Sequence, residues 1–61
     1  MEQDGYMLIK VRKTINIYLW AETPEELVEP GYDKPPYQIV PYYKDGEKRY
    51  LKIDGKFVRI Q

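Results

Sequence analysis

The side chains able to do chemistry in this chain are few in kind. Serine, cysteine and histidine are absent, and Thr14 and Thr23 carry the only aliphatic hydroxyls. A nucleophile activated by a neighbouring base has almost no raw material here, so no catalytic residue is expected and the chain reads as non-enzymatic. Two other concentrations stand out. Carboxylates gather at Glu22, Glu25, Glu26, Glu29 and Asp33, and rings interleave with cations towards the end, at Tyr43, Tyr50, Lys52, Phe57 and Arg59.

Each group suits binding better than catalysis. The carboxylates sit in a flexible acidic loop, without the buried cleft that would drive their pKa values apart for acid–base work. They suit docking of a partner, or imitation of a phosphate backbone, and neither a metal nor a cofactor is expected. Rings alternating with cations on a sheet can stack bases and contact phosphates, or anchor a protein through Tyr and Arg. The plainer reading of Tyr50 with Arg59 and Lys52 with Phe57 is a set of cross-strand cation–π pairs, worth about 0.5–1 kcal/mol each when exposed. Gly5, Gly31, Gly46 and Gly55 are scattered and form no phosphate-cradling loop.

Charge is segmented although it cancels overall. Residues 1–13 sum to +1, residues 14–33 to −5 with no base, and residues 34–61 to +4. The first expectation is an acidic loop lying against a basic sheet; the second is a displayed acidic or basic patch. Zero net charge weighs against non-specific phosphate binding, which needs an unopposed positive field.

The elements that must position these groups are short, because 61 residues bury only roughly 60% of the unfolded surface. One domain over residues 1–61 is the ceiling. Without cysteine or histidine to cross-link the fold or bind metal, a partner chain, including a second copy, remains the available supplement. From Leu8 to Trp20, Ile9, Val11, Ile15, Ile17 and Leu19 share one parity. A single strand of that length would span about 43 Å, too long for the domain. The chain must therefore turn near Arg12-Lys13-Thr14 or bend sharply, and the lack of Gly or Asn there favours a bend or bulge at least equally. Residues 1–6 are a candidate disordered lead-in.

Thr23-Pro24-Glu25-Glu26 has the form of a capping box with proline at the first helical position, and Pro30-Gly31 stops the helix after about one turn. Residues 21–36 thus read as a long acidic loop containing a helical turn. Asp45-Gly46 and Asp54-Gly55 then separate three β-rich runs, the signature of a meander with two tight hairpins. Turns centred on those dipeptides put Val40, Tyr42, Leu51, Ile53, Val58 and Ile60 on one face, the core. The opposite face receives Ile39, Pro41, Tyr43, Tyr50, Lys52, Phe57 and Arg59.

The fold class is mostly β: a small five-stranded barrel or a strongly bent antiparallel sheet with one short helical turn. In order and length of its parts, the long first strand, the loop with its helical turn and the closing meander, it resembles SH3-like and related small barrels. Such barrels host protein, peptide and nucleic-acid binding alike. The functional expectation is a small non-catalytic protein-interaction module, an inhibitor, adaptor or complex subunit; the alternative is a nucleic-acid-binding domain using the aromatic and basic face. No membrane-length apolar run and no basic leader are present, and a cytoplasmic location is expected.

Overall fold

The two Asp-Gly steps both turn the chain, in different ways. Asp54 (φ 51°) and Gly55 (φ 78°) are both left-handed, as a type I′ hairpin turn requires, and Ile53 pairs with Lys56 across them. At the earlier step the loop residues are Gly46 (φ 64°) and Glu47, closed by Asp45 opposite Lys48. The register is therefore two residues from the one expected for an Asp45-Gly46 turn. An even shift leaves every side chain on its face, so the expected division of faces holds. An added Cβ at Gly55 meets nothing within 4 Å. Gly55→Ala should therefore lose only the cost of positive φ, about 1 kcal/mol, lowering the urea midpoint without changing the m-value.

The computed structural model describes residues 1–28 and 30–61. Strands β1 (Glu2–Val11), β2 (Ile15–Ala21), β3 (Tyr37–Asp45), β4 (Lys48–Ile53) and β5 (Lys56–Arg59) form one antiparallel sheet in the order β2-β1-β3-β4-β5. The sheet is open, with β2 and β5 as its edges, so the closed SH3-like barrel is not formed. Closure would require β5 to pair with β2, and no such pairing is formed; the chain leaving β2 crosses β1 to start β3 on the other side. That crossing accounts for the length of the loop over residues 22–36.

Residues 12–14 make a three-residue hairpin loop between Val11 and Ile15, resolving the choice between turn and bend, and β1 already begins at Glu2, within the expected lead-in. Two β-bulges interrupt the ladder. Asp4 and Gly5 together oppose Tyr42, between the pairs Gln3–Tyr43 and Tyr6–Pro41. Tyr18 is the extra residue in β2, between Leu19 opposite Leu8 and Ile17 opposite Ile9. The second bulge reverses the parity of Leu19, which leaves the face shared by Ile9, Val11, Ile15 and Ile17.

Adjacent Leu8 and Ile9 point to opposite faces and each anchors a cluster. Ile9, Val40 and Leu51 are buried among Met7, Ile15, Tyr42, Ile53 and Ile60. All these neighbours belong to strands or to the residue after β5, so the sheet coils over this face to bury it. On the other face Leu8, Ala21 and Leu27 are buried, with Tyr32, Tyr37 and Ile39 against them. Leu27 comes from α1 (Glu25–Val28). The Thr23 amide and hydroxyl donate to the Glu26 carboxylate at 2.9 and 3.2 Å. Beyond the helix, Tyr32 N–H bonds Leu27 O and Gly31 N–H bonds Val28 O, with Gly31 at φ 91°: a Schellman motif whose hydrophobic contact is Tyr32 with Leu27. The helical turn is thereby capped at both ends, and Leu27 and Tyr32 hold the loop against Leu8 of β1.

Candidate functional site

The aromatic and basic residues of the meander come together on one face. Tyr43 lies opposite Tyr50, Tyr50 opposite Arg59, and Lys52 opposite Phe57. The Tyr43 ring meets the Phe57 ring edge-on with centroids 5.0 Å apart, and Lys52 Nζ lies 5.5 Å from the Phe57 centroid. Arg59 Nε donates to the carbonyl of Gln61 at 3.2 Å. Tyr43, Phe57, Lys52 and Arg59 are thus engaged with one another or with backbone, whereas Tyr50 and Arg59 are cross-strand neighbours without the expected cation–π contact; Tyr43 and Tyr50 are half-buried. Below the β3–β4 turn a wide depression of about 830 Å³ runs from Asp45 to Arg49 and on to Arg59 and Gln61. There the Arg49 guanidinium is held by the carbonyls of Gly46 and Lys48.

Of the acidic loop, Glu22, Glu25 and Asp33 are exposed, Glu26 is exposed but serves the helix cap, and Glu29 lies outside the described residues. The ion pair among the described residues joins Lys44 to Asp4 at 2.8 Å; none links the loop carboxylates to the sheet. The expected cancellation of loop against sheet therefore does not occur through contacts between these residues. No group of three or more described acidic side chains is arranged to hold a metal ion.

A third surface escaped the sequence reading. Strand β2 has one free edge, and Ile17, Tyr18, Leu19 and Trp20 are 44%, 50%, 50% and 51% exposed. These are the residues of an interior strand at the rim of a sheet. The bulge turns Tyr18 and Leu19 to the helix-covered face, where they border a shallow hollow of about 220 Å³ with Leu8, Tyr32 and Tyr37. Tyr37 holds both other rings edge-on, at 5.7 Å from Tyr18 and 5.6 Å from Tyr32.

The chain matches no family model, no curated protein and no solved structure. Its chemistry has to be read from its own surfaces.

On the coiled face Trp20 lies opposite Met7 and Ile17 opposite Ile9, with the exposed Val11 further along β1. Trp20 is fixed in place: its indole N–H donates to Asp4 O at 2.8 Å, and its ring lies over Gly5, where a Cβ would come within 2.6 Å of Nε1. The signal in the sequence was the charge-free run from Thr14 to Ala21 in a chain that is 33% charged. The comparable run, Pro35 to Tyr43, supplies β3, which has a strand on each side. Sequence alone gave no means of telling which of the two runs would be enclosed.

No helix among the described residues is long and apolar enough to cross a membrane.

Proposed function

We propose that this chain is a small non-catalytic protein-interaction module that receives an extended protein segment along β2. The observation that carries the reading is a seven-residue edge strand with no charged residue and four adjacent half-exposed apolar side chains. Soluble sheets ordinarily blunt their edges with charge, proline, shortness or bulges, because unpaired N–H and C=O groups template the addition of another strand, and of these devices β2 has only the bulge at Tyr18. The opposite edge follows that rule: β5 has four residues and begins and ends on a cation. An added strand satisfies the backbone of β2, while the flanking apolar side chains supply the specific contacts. The meander face supports nucleic-acid binding less well, since its rings pack on each other and its cations are partly engaged.

The test is site-specific photo-crosslinking. A photoreactive residue at position 19 should give a defined protein adduct, identified by mass spectrometry, that is lost on Ile17→Lys. The same probe at position 52 should give none. Nucleic-acid adducts from position 52, or protein adducts from 52 and not from 19, would overturn the reading.

A further inference from the structure

The occupant of the β2 edge can be narrowed on the strength of that reading. We infer that it is β2 of a second copy, paired antiparallel about a two-fold axis near Tyr18, so that two five-stranded sheets join into one.

Three observations lead there. The first is charge. The strand itself is neutral, but Arg12 and Lys13 precede it and Glu22 follows it. Antiparallel pairing of two copies sets the cationic end of each strand beside the acidic end of the other, at both ends of the interface. Parallel pairing would set like beside like.

The second is area. The chain exposes 4514 Å² at a mass of 7.4 kDa, against roughly 4,200 Å² for a compact monomer of that mass. Fully buried aromatic side chains contribute on the order of 150–250 Å² each. Half of that from each of Tyr18 and Trp20, with similar halves from Ile17 and Leu19, amounts to about 600–1,000 Å² over two copies when all of it is covered. The two backbone edges and Val11 bring this to the roughly 1,000 Å² that separates specific interfaces from incidental contacts. A two-fold pairing of these seven-residue strands also adds backbone hydrogen bonds on either side of the bulge at Tyr18.

The third is preorganisation. The two exposed rings are already immobilised, Trp20 by Asp4 O and Tyr18 by Tyr37, so little side-chain freedom remains to be lost on association. A two-fold contact is self-complementary, and an uncharged apolar strip offers nothing that would select a different, charged partner over its own copy.

Light scattering on size-exclusion fractions of the full chain, over a concentration series, tests this. The expected mass is twice 7.4 kDa, falling to the monomer on Leu19→Lys with the far-UV spectrum unchanged. Lys13→Glu and Glu22→Lys, both at exposed positions, should each weaken the dimer about threefold to tenfold, and the two together should restore it. A monomeric mass up to about 1 mM overturns the inference, as does a dimer that survives Leu19→Lys or is not rescued by the double reversal. Protein adducts at position 19 from a chain that stays monomeric would remove the second copy and leave the interaction module standing; loss of those adducts as well would remove both.

Discussion

Leu51→Ala should remove at least about a third of the folding stability, the largest loss expected from a single truncation in this chain. Leu51 is fully buried (0% exposed), lies opposite Tyr42 on one side and Val58 on the other, and shares its cluster with Ile9 and Val40. Truncating such a leucine costs about 3–5 kcal/mol, the lost transfer energy plus the cavity. A domain of this size has about 3–9 kcal/mol in total. The coiled face cannot collapse easily onto the gap, because its cover is made of strand side chains fixed by the ladder. Far-UV circular dichroism and urea titration should show a large loss of folded signal or of midpoint. Phe57→Ala, at a half-exposed ring, should cost about 1 kcal/mol or less. Equal effects at the two positions would mean that the coiled face is not the principal core.

Gly5→Ala should be nearly as damaging, for a different reason. Gly5 sits at φ 81°, and a Cβ there would lie 2.6 Å from the Ala21 carbonyl oxygen and 2.6 Å from Trp20 Nε1. The carbonyl is part of the β1–β2 region and cannot retreat without disturbing the pairing of Tyr6 with Ala21. The indole can retreat only by giving up its bond to Asp4 O. Backbone strain and the lost hydrogen bond together amount to about 2–4 kcal/mol. Because Trp20 is the only tryptophan, its emission should shift to the red as the ring is displaced, alongside a lower melting temperature. Gly31→Ala is the control: its φ is 91° but its Cβ meets nothing within 4 Å, so it carries the strain without the overlap and should leave the emission unchanged.

How much of this was readable beforehand depended on whether the determinant was local. Asp54-Gly55 fixed a type I′ turn from two residues, and the faces of β4 and β5 followed by alternation. Thr23 and Glu26 announced their own cap. Even the register displaced at Gly46-Glu47 kept its faces, since hairpin slips of two preserve parity. What alternation leaves open or misplaces is non-local. Arg12-Lys13-Thr14 has no turn-forming residue, and it turns because Ile9, Val11, Ile15 and Ile17 can then share one buried or partly covered side. The bulge at Tyr18 breaks the period-two pattern, so simple alternation puts Leu19 on the wrong side. That β1, and not β2, sits beside β3 depends on the loop crossing and on Leu27 finding Leu8, contacts between residues far apart in sequence. The site legibility followed suit: Tyr43, Tyr50, Lys52, Phe57 and Arg59 do share a face, but the exposure of Ile17 to Trp20 is a property of strand order, which alternation does not encode.

The unlike edges of the sheet also decide how far any assembly can grow. If β5 were as long and as neutral as β2, copies could stack head to tail, each β2 against the next β5, in a ribbon without end. Lys56 and Arg59 on a four-residue strand make that contact short and bring cations to its rim. In the proposed dimer, pairing β2 with β2 would consume the long uncharged edge of each copy, so the assembly would terminate at two rather than grow into a fibre.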